Sequence, residues 1–433
     1  MMSMKLCRNR SCRELIREFP RKISKTSTDK NSDAISWQQD KKLELNLELT
    51  SDKNSNQTRW LRQMQHNNVR ALSTIHQTMV KPPPISSLAS KEQSRDFMAL
   101  FPDVVRELTD AGKHQEMPEV MRRFARMLQY TVPTGKKNRG LTVISSYNLL
   151  EDPQNLTPEN LGLANILGWC VEMVQGFLVV VDDVLDESET RRGVACWYRQ
   201  PDVGLSAFND ALMVENAVYA LLKKHFRDHP AYLLMMELFH DVIFKTAMGQ
   251  SLDLMCMDNN GKPKLDMFTM HRYTSIVRYK TAYYSFQMPV ALAMYLANLH
   301  DTEQHRQAKT ILLEMGQFFQ IQDDFLDCFG DSAIMGKKGT DIEDGKCSWL
   351  AVVALQRASP SQRKIMEDHY GKSDLESVQA IRHLYEELSL PNTYAIYEEE
   401  SFNIIKTHIQ QISKGLPHKL FFKIMERLYK REC

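Results

Sequence analysis

Residues 161–181 read LGLANILGWCVEMVQGFLVVV and run straight into Asp182 and Asp183. The run is long enough to span a bilayer, which takes about 20 apolar residues. Yet it holds Asn165, Glu172 and Gln175 and ends on carboxylates, groups that are expensive in lipid. A helix buried in the middle of a large helical protein satisfies both facts. The chain has 433 residues, enough to surround such a helix. Stretches 164–186, 209–226, 232–254 and 303–328 carry apolar residues at three- and four-residue spacing, the helical period. No succession of β-branched strands with regular turn signals occurs. The reading is an all-α fold over 91–433. Its first helix opens at Lys91, behind a Ser90/Gln93 pair that has the form of a capping box.

Residues 1–90 are different in kind. They hold 16 Lys/Arg against 8 Asp/Glu, while the whole chain has a net charge of +1. The body is therefore mildly acidic and its leader basic. Lys5, Arg8, Arg10, Arg13, Arg17, Arg21, Lys22 and Lys25 crowd the first 25 residues, with Ser and Thr and without a 7–15-residue apolar core. That excludes a secretory signal and fits a mitochondrial presequence, with a cytoplasmic protein bearing a disordered basic tail as the alternative. Leu43, Leu45, Leu47 and Leu49 alternate as in a short strand, which alone has no partner. The extension is poor in aromatics, and the whole chain lacks a strong basic excess, so nucleic acid is not expected as a partner. Nor is a transmembrane segment expected. The cysteines show no CxxC and no zinc-ligand spacing, which reads as reduced, mostly buried thiols.

Chemistry enters with Asp182-Asp183-Val184-Leu185-Asp186. Asp182 and Asp186 are i and i+4 and share one helix face. Like charges at the end of an apolar helix repel, and a cation offsets them. An oxygen-only donor set suits Mg²⁺ or Mn²⁺, which keep waters and share phosphate oxygens. Taken singly, such a pair is usually a solvated face. The same spacing recurs in Asp323-Asp324-Phe325-Leu326-Asp327, again after an apolar helical run, 311–322. Two buried helices ending alike, with facing carboxylates, hold a cluster of divalent ions that binds a diphosphate.

Basic groups accompany them. Arg191-Arg192 follow the first cluster by one or two helical turns. Gly135-Lys136-Lys137-Asn138-Arg139-Gly140 is a glycine-bounded basic loop, without the spacing of a nucleotide-binding P-loop. Lys280-Thr281 lie in RYKTAYYSF, and Lys337 and Lys346 in GKKGTDIEDGK. Such numbers of Lys and Arg suit a polyanion.

With GKKNRG (135–140), LGWCVEMVQGF (167–177), DDVLDESETRRG (182–193), YKTAYYSF (279–286), FFQIQDDFLDCFGD (318–331) and GTDIEDGKCSW (339–349) in this order, the chain resembles the all-trans isoprenyl diphosphate synthases. The likeness runs from about residue 92 onward and is strongest to the farnesyl diphosphate synthases of animals. It implies an isoprenoid synthase-type bundle of about ten core helices around a central active-site cavity, assembled as a homodimer. It implies a Mg²⁺ cluster, about three ions per active site, on Asp182, Asp186, Asp323 and Asp327. Mn²⁺ or another divalent ion is able to substitute. Arg191, Lys280, Thr281, Gln320, Lys337 and Lys346 are implied around the allylic diphosphate, with Lys280, Thr281 and Gln320 beside the reacting carbon. Lys136, Arg139, Gln175 and Arg192 are implied to hold isopentenyl diphosphate. The tail residues Lys430-Arg431 are implied to help close the site.

The implied reaction is a Mg²⁺-dependent head-to-tail condensation of isopentenyl diphosphate with dimethylallyl or geranyl diphosphate. Product length follows from the cavity floor. Phe177 and Leu178 precede Asp182 by five and four residues, roughly 6–8 Å deeper along the helix. Many animal relatives have two aromatics there; here the second is Leu178. Phe177 argues for a short floor and for C15 farnesyl diphosphate, with C10 geranyl diphosphate beside it. The rival reading is a terpene synthase evolved from this scaffold, which has no use for Lys136, Arg139, Gln175 and Arg192. A silent regulatory subunit has no use for two intact Asp motifs.

Overall fold

Ser90 opens the first helix in the manner its sequence requires: its Oγ accepts the Gln93 N–H, and the Gln93 side chain accepts the Ser90 N–H. The structure is a computed structural model that describes residues 90–110, 116–330, 339–413 and 415–429. The presequence and Leu43–Leu49 strand readings, Lys337 and the Lys430-Arg431 tail lie outside the described residues.

From Lys91 the chain is helical nearly throughout: α1 (Lys91–Thr109), α2 (Pro118–Thr131), α3 (Asn138–Leu150), α4 (Pro158–Leu185), α5 (Ala207–Phe226), α6 (Tyr232–Leu254), α7 (Met270–Ile276), α8 (Met288–Leu296), α9 (Thr302–Phe329), α10 (Trp349–Arg357), α11 (Pro360–His369), α12 (Leu375–Glu387), α13 (Leu390–Gln410) and α14 (His418–Tyr429). The long periodic stretches of the sequence thus become α4, α5, α6 and α9. Among the described residues, strand is confined to a two-residue hairpin, β1 (Thr190–Arg191) with β2 (Val194–Ala195), and an isolated bridge between Met257 and Pro263.

The apolar run is the centre of α4, and protein buries it. Trp169, Cys170, Val171, Met173 and Val174 are inaccessible to solvent, and α4 packs between α3 and α5. The crossing with α3 is backbone on backbone: a Cβ at Gly140 would lie 2.9 Å from the Gly168 carbonyl oxygen and 2.7 Å from the Phe97 ring. Cys170, Cys196, Cys256, Cys328 and Cys347 are free and buried, in agreement with the cysteine reading.

Helices α7 and α8 are joined by a π-helical segment, Val277–Gln287, which helical periodicity alone did not reveal. The wide turn ends just before Pro289, which has no N–H to give a helical ladder, and the Met288 N–H reaches back to the Tyr283 carbonyl. This rod packs between α6 and α9. Two glycines admit it. A Cβ at Gly249 on α6 would stand 2.1 Å from Lys280 N, and one at Gly316 on α9 would stand 2.5 Å from Ala282 Cβ. Side chains of α9 and α14 pack with α8 in one apolar cluster, while the end of α9 packs with α10, α12 and α13 in another. The rod thus lies along α9, which carries the second acidic motif, and its Lys280 side chain reaches Asp182 in the first motif, at the end of α4.

Gly249→Ala tests this pinch. Overpacking of this kind costs about 1–3 kcal/mol, and the backbone it meets belongs to Lys280. A lower thermal midpoint together with a loss of turnover is expected; an unchanged midpoint contradicts the close approach.

Candidate active site

The last turn of α4 divides its carboxylates by direction. Asp183 points into the protein: it is 2% exposed and accepts Arg191 Nε at 2.8 Å and Nη2 at 2.5 Å. Asp182 and Asp186 point the other way, toward the rod and the loop before α10. Lys280 Nζ donates to Asp253 Oδ2 on α6 at 2.7 Å. It also forms an ion pair with Asp182 Oδ1 at 3.2 Å. Lys346 Nζ donates to Asp186 Oδ2. Burial opposes the charged form of Asp182, but Lys280, Lys346 and Arg191 outweigh it and hold its carboxyl below the usual range. Burial likewise works against the Lys280 ammonium; Asp253, Asp182 and Asp186 win, and its pKa lies above that of an ordinary lysine.

The second motif repeats the division. Asp323 and Asp327 are half-buried and Asp324 is buried. Asp324 accepts Tyr273 O–H at 2.7 Å, the Trp349 backbone N–H at 2.8 Å and Gln320 Nε2 at 2.9 Å. Gln320 in turn accepts Thr281 Oγ1 at 3.2 Å. Thr281 and Gln320, paired in the sequence reading, are thus brought together and anchored through Asp324. Asp327 Oδ2 accepts the Asp341 N–H at 2.9 Å. Tyr370 O–H donates to the Lys346 carbonyl at 2.6 Å, which steadies the loop carrying Lys346.

A second, mainly cationic cluster lies at the start of α3. Arg139 donates to Gln175 Oε1 at 2.9 Å, to Tyr284 O–H at 3.0 Å and to Ser285 Oγ at 2.7 Å, and its guanidinium lies over the Tyr284 ring. Arg192 donates to Thr134 Oγ1 at 2.6 Å and to the Thr134 carbonyl. A Cβ at Gly135 would strike the Arg192 guanidinium at 2.5 Å, so the loop lies against this side chain. Lys136 is exposed on the same loop. One detail corrects the sequence reading. Arg191 and Arg192 do not continue the helix, which ends at Leu185; they occupy the hairpin, with Arg192 at a left-handed φ of 56°. That turn sends Arg191 back to Asp183 and Arg192 away to the Thr134 loop. Phe177 is buried and Leu178 half-buried in the core around α4. Asp253 and Tyr273 were not singled out in the sequence, and Asp183, Tyr284 and Ser285 were read only as parts of their motifs, with no role of their own. The apolar helix end holding Asp253 was the one signal for it.

The donor set fits divalent ions. Asp182, Asp186, Asp323 and Asp327 offer oxygen only, the donor type that such ions take. Among the described residues no three carboxylates or other ligand side chains converge on one point. Mg²⁺ does not need that: it is held by one or two carboxylates, waters and substrate phosphates rather than by an all-protein cage.

Residues 121–388 match the family model for polyprenyl synthetase. The chain belongs to the polyprenyl synthetase family. It is 47% identical over 384 residues to a farnesyl pyrophosphate synthase of Murgantia histrionica, covering 89% of this chain and 92% of that one. It is 46% identical over 341 residues to the farnesyl pyrophosphate synthase of Homo sapiens, covering 78% and 81%. The fold aligns with a crystal structure of a T. brucei farnesyl diphosphate synthase at a TM-score of 0.72 and 33% identity, covering 78% of this chain and 99% of that one. The all-α reading and the resemblance are borne out in this polyprenyl synthetase.

The two aspartates at the centre of the second motif have different work. Asp324→Ala strips the acceptor from three donors and is expected to cost at least about 3 kcal/mol. Asp323→Ala is expected to stay within about 1 kcal/mol of the parent in stability and to abolish turnover. Urea unfolding run beside a turnover assay checks the pair; equal stability losses contradict the division.

Proposed function

We propose that the chain is a prenyltransferase that condenses isopentenyl diphosphate with dimethylallyl and then geranyl diphosphate, releasing farnesyl diphosphate. The observation that carries this is the pair of polar clusters joined by one rod. The π-helical segment gives Lys280 and Thr281 to the acidic end of α4 and to Gln320, and gives Tyr284 and Ser285 to Arg139. A chain that only ionised a finished prenyl diphosphate would need the first site alone; the Arg139–Gln175 pair supports condensation over the terpene synthase reading.

The allylic diphosphate lies, on this reading, against Arg191, Lys280 and Lys346, with Lys337 completing the set. Asp182, Asp186, Asp323 and Asp327 would hold Mg²⁺, which when bound draws charge from the leaving diphosphate as a Lewis acid. Lys280 and Lys346 take up negative charge as the allylic C–O bond breaks. Thr281 and Gln320 turn oxygen lone pairs toward the cation left behind. Lys136, Arg139, Gln175 and Arg192 hold isopentenyl diphosphate so that its double bond attacks that cation, forming the new C–C bond. A proton is then lost to the departing diphosphate. The apolar wall of α4 excludes water, which would otherwise capture the cation. Phe177 and Leu178 form the floor.

The same proposal includes a homodimer. Phe208 and Leu212 on α5, and Leu233, Phe244 and Met248 on α6, are exposed. Tyr219 and His240 stack at 4.3 Å between the two helices, which sets these residues on one apolar face of the kind that marks an interface. It also includes a basic extension over 1–90 that directs the protein to mitochondria, supported by the composition of residues 1–25.

A product assay tests the reaction. With Mg²⁺ and dimethylallyl or geranyl diphosphate, chain-extended diphosphates are expected only when isopentenyl diphosphate is present, and none after chelation of the metal. Hydrocarbons from the allylic substrate alone would overturn the reading. Phe177→Ala is expected to lengthen the main product by at least about one five-carbon unit, as one aromatic side chain leaves the floor. Phe244→Asp is expected to halve the mass measured by light scattering.

A further inference from the structure

A buried carboxylate sits where a diphosphate site has no evident need of one. Glu172 is 3% exposed and lines the same cleft as Gln175, Arg191 and Arg192. Its Oε1 accepts the Gly140 N–H at 2.8 Å. Gly140 lies in the first turn of α3, so the carboxylate closes a helix N-terminus, where negative charge is favoured. The charged groups that face it are Lys137 and Arg139 from the start of α3 and Arg192 from the hairpin. From α1 the Phe97 ring closes that side, and Tyr284 holds Arg139 from the rod.

A buried carboxylate stays ionised only while cations compensate it. A diphosphate held by Arg139 and Arg192 draws on the same cations. We propose that Glu172 is a proton-linked counter-charge of the isopentenyl diphosphate site, ionised and holding its cations in place without ligand, and protonated when the diphosphate binds. The inference rests on the assignment of Lys136, Arg139, Gln175 and Arg192 to that substrate. The proton comes from solvent and converts the carboxylate to the acid; no bond other than this O–H forms.

Burial raises the Glu172 pKa, against the pull of the Gly140 N–H, Arg139, Arg192 and Lys137. Ligand charge cancels part of that pull, so the pKa in the complex lies above that of the free enzyme. Affinity is then highest below the free-state value. It falls as pH rises between the two values, by up to about tenfold per pH unit, and levels off above the bound-state value.

Calorimetry of the full chain with isopentenyl diphosphate, in buffers of different ionisation enthalpy, counts the protons taken up. The parent is expected to take up more than the ligand's own phosphate titration accounts for. Glu172→Gln keeps an acceptor for the Gly140 N–H and is expected to lose that excess. It is also expected to lower the KM for isopentenyl diphosphate at pH 8 by at least about threefold, with the KM for geranyl diphosphate unmoved. No excess in the parent, a result that needs no variant, overturns the proposal, as does equal uptake in both proteins. Arg192→Gln separates the two layers. If it binds isopentenyl diphosphate as the parent does, the site assignment falls and the proposal with it. If it weakens binding at least about tenfold, as loss of a charged contact should, while uptake is equal in parent and E172Q, the proposal alone falls.

Discussion

The ammonium of Lys280 lies between Asp182 and Asp253, and that of Lys346 lies on Asp186. Most of the site depends on these contacts. An apolar helix that ends on carboxylates cannot leave them facing a second acidic helix end without an offsetting charge, because repulsion grows as water is excluded. The chain meets this with its own cations, which are the groups a diphosphate needs. On the proposed function, the lysines that hold these carboxylates together are the ones that receive the substrate. The central aspartate of each motif is withdrawn from the problem: Asp183 is spent on Arg191 and Asp324 on Tyr273, Trp349 and Gln320.

The second constraint is mechanical. One rod must serve two side-chain clusters set about one turn apart along it. An α-helix repeats its faces on a fixed period; a π-helical stretch widens the turn and redirects side chains, which is why such stretches gather at functional positions. Here Lys280 and Thr281 reach Asp253 and Gln320, and Tyr284 and Ser285, one turn on, reach Arg139. Gly249 and Gly316 are the condition for it, since any side chain at either would meet the rod.

Much of this was legible in the chain. Apolar spacing located α4, α5, α6 and α9, and the repeated Asp pattern at two helix ends located the first site. Ser90 and Gln93 marked the start of α1. What was not legible has a common cause. The sequence reading treated 182–192 as helical turns, whereas the chain leaves the helix at Leu185 and turns back through a left-handed Arg192, a backbone choice no periodicity records. The π-helical segment keeps an apolar pattern close enough to that of an α-helix to pass for one, and Pro289 was its only outward mark. Asp253 is a single carboxylate in an apolar helix with no motif around it, and Glu172, though inside LGWCVEMVQGF, was read only as a polar residue in an apolar run. Burial made them significant, and burial depends on which helices meet.

The central claim is that the acidic helix ends form no cage for metal by themselves and become one only with a diphosphate. Thermal unfolding with Mg²⁺ alone, with inorganic diphosphate alone and with both tests this most directly. The account requires small shifts from each alone and, together, a rise in midpoint well beyond their sum. A full shift from Mg²⁺ without diphosphate would contradict it.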